Sequence, residues 1–197
     1  MVSITKNEAR VINFLLRNFS KKYNINQLAK ELQLSPRGAY KILKKLKNND
    51  ILSIQKIGNN HIYTINFNND IALEVCQFVL IETKNTPYIK TWINDLQSLK
   101  KFAKIVILFG SILTKEKQAN DVDVLLVFEK KNLLKIQDQI KKINQIKSKQ
   151  IHAIVQTEKD LLNNIQKRDP ALLEEIQTGL ILWGRNILVE AIKHDQD

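Results

Sequence analysis

The sequence predicts an α+β protein made of two modules joined by a helix. Three observations carry this reading. Residues 1–67 hold three apolar-periodic segments and then two strand-like runs joined by Gly58-Asn59-Asn60. Residues 86–197 alternate apolar strand runs with amphipathic segments, the pattern of a mixed sheet flanked by helices. Charge divides at the same place: residues 1–67 carry twelve Lys and Arg against three Asp and Glu, and residues 68–197 carry nineteen against seventeen.

In the first module, Thr5-Lys6-Asn7-Glu8 has capping-box form and opens a helix with Val11, Phe14, Leu15 and Phe19 on one side. A short helix over Asn26 to Leu32 buries Leu28, Ala29 and Leu32. Ser35 and Pro36 then supply a hydroxyl cap and a proline at the first helical position. The helix that follows runs to about Asn48, with Ala39, Ile42, Leu43 and Leu46 inside and Arg37, Tyr40, Lys41 and Lys44 outside. Strands over 51–57 and 61–67 close the module as a hairpin.

The stretch LAKELQLSPRGAYKILKKLKNNDIL resembles the core of winged helix-turn-helix regulators. That resemblance implies a double-stranded DNA partner, with the helix from Pro36 in the major groove and the Lys56–His61 wing on backbone or minor groove. It assigns DNA contacts to Ser35, Arg37, Tyr40, Lys41, Lys44, Lys45, Lys56, Asn59 and Asn60. Arg37 and Tyr40 would reach base edges, and the lysines would meet phosphates. Exposed lysines are usually only solvated, and winged helices also dock proteins. The concentration of positive charge in this third of the chain favours nucleic acid, with RNA as the alternative to DNA.

Residues 68–85 form a linker or packing helix, expected from Asn69 to Lys84. Its apolar positions, among them Ile71, Val75 and Phe78, exceed what a solvated tether needs. Core packing within one chain and a homodimer seam are the two readings.

The second module begins at Thr86-Pro87 with a helix placing Trp92, Ile93, Leu96 and Leu99 at core spacing. The string IVILFGSILTKEKQANDVDVLLVF, residues 105–128, carries the chemistry. An apolar strand ends in Gly110-Ser111, where backbone N–H groups can approach a phosphate closely. A second strand opens with Asp121 and Asp123, which project from one face at i and i+2. Two such carboxylates can hold a divalent cation beside that phosphate. The plain alternative is a pair of solvated acids opening an ordinary strand, although acids are depleted in strands.

Strand, Gly-Ser, a spacer of nine residues and Asp-x-Asp together resemble the signature of polymerase-beta-like nucleotidyltransferases, the minimal antitoxin-type ones above all. The resemblance covers residues 86–197 and implies Mg²⁺ or Mn²⁺ as cofactor and a nucleoside triphosphate as substrate or ligand. It places Asp121 and Asp123 on the metal, and Gly110, Ser111 and Lys115 on the nucleotide. The implied reaction moves a nucleoside monophosphate to a hydroxyl of a protein, such as a partner toxin, or of RNA. A helix over Asn132 to Lys147 and a strand over Gln150 to Gln156 follow. Family members carry a third carboxylate on that strand, and here His152 stands in its place. Histidine can ligate a metal or accept a proton, so His152 joins the catalytic set. Magnesium prefers oxygen, which opens a second functional reading: a nucleotide-sensing regulator with impaired catalysis. A fused operator-binding module suits a self-regulating toxin–antitoxin component under either reading. Helices after Thr157 and from Pro170 to Gln177, a strand within Gly179–Gly184 and a last helix complete the module.

Hydrophobic content of 44% without low-complexity tracts argues for a folded protein. No apolar run reaches bilayer length and no signal-peptide core opens the chain, so a cytoplasmic protein without a membrane partner is expected. The single cysteine, Cys76, excludes an internal disulfide and reads as a buried thiol.

Overall fold

Helix α1, Lys6–Arg17, starts at a reciprocal cap: the Thr5 N–H donates to Glu8 Oε2 at 2.9 Å and the Glu8 N–H to Thr5 Oγ1 at 3.4 Å. The computed structural model describes residues 3–81 and 86–196, in two compact units, Met1–Leu80 and Ile81–Asp197.

In the first unit, a two-residue strand β1, Tyr23–Asn24, leads into α2, Ile25–Glu31, capped by Asn24 and Gln27. Two residues are too short to leave a periodic signal, and β1 was not foreseen. Helix α3, Pro36–Asn48, is capped by Ser35 Oγ, which accepts the Gly38 N–H at 3.1 Å. Strands β2, Leu52–Ile57, and β3, Asn60–Ile65, form an antiparallel hairpin, and β1 pairs with the outer side of β3. Asn60 pairs with Ile57, so the turn is Gly58-Asn59 alone and Asn60 belongs to the strand. The core gathers Val11, Ile12, Leu15 and Leu16 of α1 with Leu28, Leu43 and Leu46. Helix α4, Asp70–Val79, stops well short of Lys84; the expected positions 82–84 lie outside the described residues. It packs by α1 through Ala72, Cys76 and Val79, and Asn13 Nδ2 donates to the Val79 carbonyl at 2.6 Å. Burial pushes the Cys76 thiol up to about 12, in keeping with an inert structural role.

The second unit opens with α5, Pro87–Leu96, and a 3₁₀ turn. Then come β4, Ala103–Phe109; a single turn α6, Ile112–Lys115; and β5, Val122–Phe128. Helix α7, Leu133–Ile146, leads to β6, Ile151–Thr157. The chain continues through α8, Glu158–Gln166, α9, Pro170–Thr178, β7, Leu180–Trp183, and α10, Arg185–Gln196. The strands lie in the order β6-β5-β4-β7; β5 and β6 run parallel, while β4 is antiparallel to both its neighbours. This is the expected mixed sheet flanked by helices.

Alternation along the strands sorts the two faces. Val106, Leu108, Val122, Val124 and Leu126 join Trp92 and Leu96 of α5 and Ile136 and Ile143 of α7 in one core. Ile105, Ile107, Leu125 and Val127 point the other way, toward the side where α8, α9 and α10 bury Leu161, Ile165, Ile176 and Val189. No described helix is long and apolar enough to cross a membrane.

Candidate functional site

The end of β4, the start of β5 and the start of β6 meet at one rim of the sheet. Phe109 stands opposite Asp123 in the β4–β5 ladder, and Asp123 opposite His152 in the β5–β6 ladder. Paired residues on neighbouring strands share a face. Asp121, Asp123 and His152 therefore converge, on the face opposite α5 and α7. Each offers a ligand atom within 4.8 Å of the others. His152 Nδ1 lies 3.1 Å from Asp121 Oδ2, with the imidazole largely exposed and both aspartates half-buried.

Asp123 holds its proton more tightly than an ordinary aspartate. Burial is the main cause, the neighbouring Asp121 charge adds to it, and His152 opposes it. A divalent cation would relieve both effects. Two carboxylates and one imidazole fit such an ion, and the nitrogen suits Mn²⁺ better than Mg²⁺.

Gly110 closes the site from β4. Its φ is 76°, and a β-carbon at this position would run into the Asp123 carboxylate. Only glycine lets the turn after β4 pass so close to that acid. Ser111 follows at the start of α6; its carbonyl accepts from the Lys115 N–H at 2.7 Å, and its hydroxyl makes no hydrogen bond among the described residues. Lys115 is exposed at the end of α6. The spacer itself is ordered. Lys149 Nζ donates to the carbonyls of Lys117, at 2.9 Å, and Ala119, tying the approach to β5 to the approach to β6. Nothing in the sequence pattern marks Lys149 for this.

His152 of β6 lies beside the acid pair, and among the described residues no further acid joins the cluster. Asp160 caps α8 through Thr157, and Glu158 pairs with Lys104, both at the opposite end of β6. One acid escaped the sequence reading. Glu175 of α9 is buried, on the face of the sheet that carries Asp123, and its carboxyl is pushed up to about 7 by burial and by Asp169, Glu174 and Asp123. The signal was present: Leu172, Glu175 and Ile176 lie at helical core spacing, so the acid falls in an apolar stripe.

On the first unit, Arg37, Tyr40, Lys41 and Lys44 are exposed along α3, with Lys44 Nζ 5.9 Å from the centre of the Tyr40 ring. Lys56, Asn59 and Asn60 are exposed at the hairpin. Ser35 is occupied as the α3 cap. Lys45 is held elsewhere: its Nζ lies 2.9 Å from Oε1 of the buried Glu8, which ties α3 to α1.

No curated protein matches the chain. A solved structure, a mutant of Lactococcus lactis ZitR, is similar at 20% identity over 51% of this chain, with a TM-score of 0.35. The similar part spans 64% of that protein's length. Residues 92–187, which contain β4, β5, β6 and β7 and hence the whole Gly110–Asp123–His152 rim, match the model of the family described as "Polymerase beta, Nucleotidyltransferase".

Proposed function

We propose that the second unit binds a nucleoside triphosphate with Mn²⁺ or Mg²⁺ and transfers its nucleoside monophosphate to a hydroxyl of a protein or RNA. The observation that carries this reading is the convergence of Asp121, Asp123 and His152 against Gly110 within the matched domain. Asp121, Asp123 and His152 would hold the cation, which when bound neutralises charge on the phosphates. Gly110 and Ser111 would receive the β and γ phosphates, with Lys115 as an outer counter-charge. The acceptor oxygen attacks the α phosphorus, the bond to the bridging oxygen of the β phosphate breaks, and pyrophosphate leaves. With Nδ1 of His152 engaged by Asp121 and its other ring nitrogen on the cation, the hydroxyl proton of the acceptor passes to solvent.

In this reading the first unit binds double-stranded DNA through α3 and the hairpin, as a homodimer joined along α4. Ile71 and Phe78 support the seam: both are large apolar side chains exposed on α4, at 48% and 62%. Such an arrangement suits a toxin–antitoxin component that regulates its own expression.

His152 favours one other reading, a nucleotide-responsive regulator without transfer, because a neutral imidazole supplies no negative charge to the metal. Incubation with radiolabelled NTPs and Mn²⁺ or Mg²⁺, with and without lysate, separates the two. Label on protein or RNA that vanishes in Asp121→Ala/Asp123→Ala supports transfer. Metal-dependent binding without label supports the regulator, and the absence of both label and binding refutes both.

A further inference from the structure

β6 ends the sheet on one side, and its outer edge is only partly closed. The Val122 N–H donates to the Gln150 carbonyl at 3.0 Å, so in this parallel pair the backbone groups of His152, Ile154 and Gln156 turn toward β5. Those of Ile151, Ala153, Val155 and Thr157 turn outward. The chain itself occupies the two ends of that outer row: Asn144 Oδ1 accepts the Ile151 N–H at 2.8 Å, and Asp160 Oδ2 accepts the Thr157 N–H at 2.9 Å. Between them, the N–H and carbonyl groups of Ala153 and Val155 make no hydrogen bond among the described residues. Neither helix layer covers this stretch. Ile154, on the face of His152 and Asp123, is 48% exposed, and Val155, on the face of α7, is 42% exposed. The seven residues of β6 include no lysine, acid or proline, the residues that usually blunt a bare edge. The other edge strand, β7, is buried or half-buried throughout.

We propose that this edge takes the acceptor: an extended segment of a partner protein adds to β6 as a further strand, with a serine or threonine opposite His152. This rests on the transfer reading of the cluster, and it names protein instead of RNA as the acceptor. Residues opposite one another on neighbouring strands share a face, so the side chain opposite His152 points to the side of Asp121 and Asp123. Ala153 and Val155 bond the segment's backbone, and Ile154 and Val155 cover its apolar side chains, one on each face. The segment's hydroxyl oxygen bonds to the α phosphorus, pyrophosphate leaves with the bridging oxygen, and the hydroxyl proton goes to solvent. A row of backbone donors and acceptors between apolar side chains suits a peptide. The phosphates of an RNA strand would meet no lysine or arginine on β6.

Hydrogen exchange of the full chain, read amide by amide by NMR, tests this with a peptide of alternating threonine and valine. Added without nucleotide, the peptide is expected to slow exchange at Ala153 and Val155 by about tenfold or more. Ile151 and Thr157, whose N–H groups are already bonded, should change little. With Mn²⁺ and radiolabelled NTPs, label should pass to a threonine of the peptide. Val155→Pro removes an N–H that the chain itself does not use. Val155→Lys keeps that N–H and sets a charge on the edge, and it carries the comparison if the proline variant melts early. Both variants should bind nucleotide as wild type does, while labelling of the peptide falls by about tenfold. Unchanged exchange at Ala153 and Val155, equal labelling by wild type and both variants, or label on added oligouridylate but not on peptide would overturn the edge as acceptor site. Each of these leaves the transfer reading standing. Protection of the two amides that grows with the concentration of the chain alone would assign the edge to a second copy and overturn the proposal. Label on no acceptor at all would refute the transfer reading and this proposal with it.

Discussion

Gly110 and Asp123 are matched to each other: the glycine's missing β-carbon is the space that the aspartate's carboxylate occupies. A tight turn after one strand and an acid on the next thus form one steric unit. Gly110→Ala is expected to cost on the order of 1–3 kcal/mol, from the positive φ and the collision together. It should also displace Asp123 and abolish Mn²⁺ binding. Thermal melts and Mn²⁺ titration of the same sample check both effects; unchanged metal affinity would separate the turn from the site.

His152→Asp would complete an all-oxygen cluster. It is expected to raise affinity for Mg²⁺ relative to Mn²⁺ by tenfold or more, since magnesium favours oxygen donors. Competition titrations with the two ions measure the ratio directly. If transfer occurs in the wild type, the same substitution should increase the Mg²⁺-supported rate.

The pH dependence of stability has a definite sign at Glu175. Its folded pKa is raised from the ordinary 4.5 to about 7, so the folded chain holds this proton more tightly than the unfolded chain. That stabilisation is fully present below about pH 4.5 and is lost as pH rises through 7. The loss amounts to about 3 kcal/mol, at about 1.4 kcal/mol per pKa unit. Glu175→Gln should therefore melt at a higher temperature than wild type at pH 8, with the difference closing near pH 5. Asp123 shifts in the same direction, so metal affinity should begin to fall on acidification at a higher pH than for an unperturbed aspartate.

The basic residues of α3 divide into two groups by their partners. Arg37→Ala and Lys41→Ala are expected to weaken DNA binding and flatten its salt dependence without lowering the melting temperature. Lys45→Ala is expected to lower stability, because it strands the buried Glu8 carboxylate. Fluorescence anisotropy over a salt series, beside thermal melts, distinguishes the two groups.

Phe78→Glu places a charge on the exposed face of α4. If two copies meet there, light scattering should show a dimer for wild type and a monomer for the variant.

Much of this architecture is written in local signals. Thr5 with Glu8, Ser35 with Pro36 and Thr86 with Pro87 announce helix starts that the structure places at those residues. The Gly110-Ser111 turn and the Asp121–Asp123 alternation put the acids on a strand beside the turn, because period-2 geometry leaves few alternatives. What escaped reading depends on contacts between distant segments. β1 exists only because β3 offers it two partners. Lys149 reaches the Ala119 carbonyl only because β5 and β6 are neighbours. Glu175 is buried where α9 packs on β4 through Gly179, a contact between distant segments, although its place in an apolar stripe was visible beforehand.

The most direct test of the central claim is a crystal structure of the chain with Mn²⁺ and a non-hydrolysable nucleoside triphosphate, with the metal located by anomalous scattering. The account requires an anomalous peak bound by Asp121, Asp123 and His152, with the β and γ phosphates against Gly110 and Ser111. A nucleotide bound elsewhere, or a metal held without either aspartate, would contradict it.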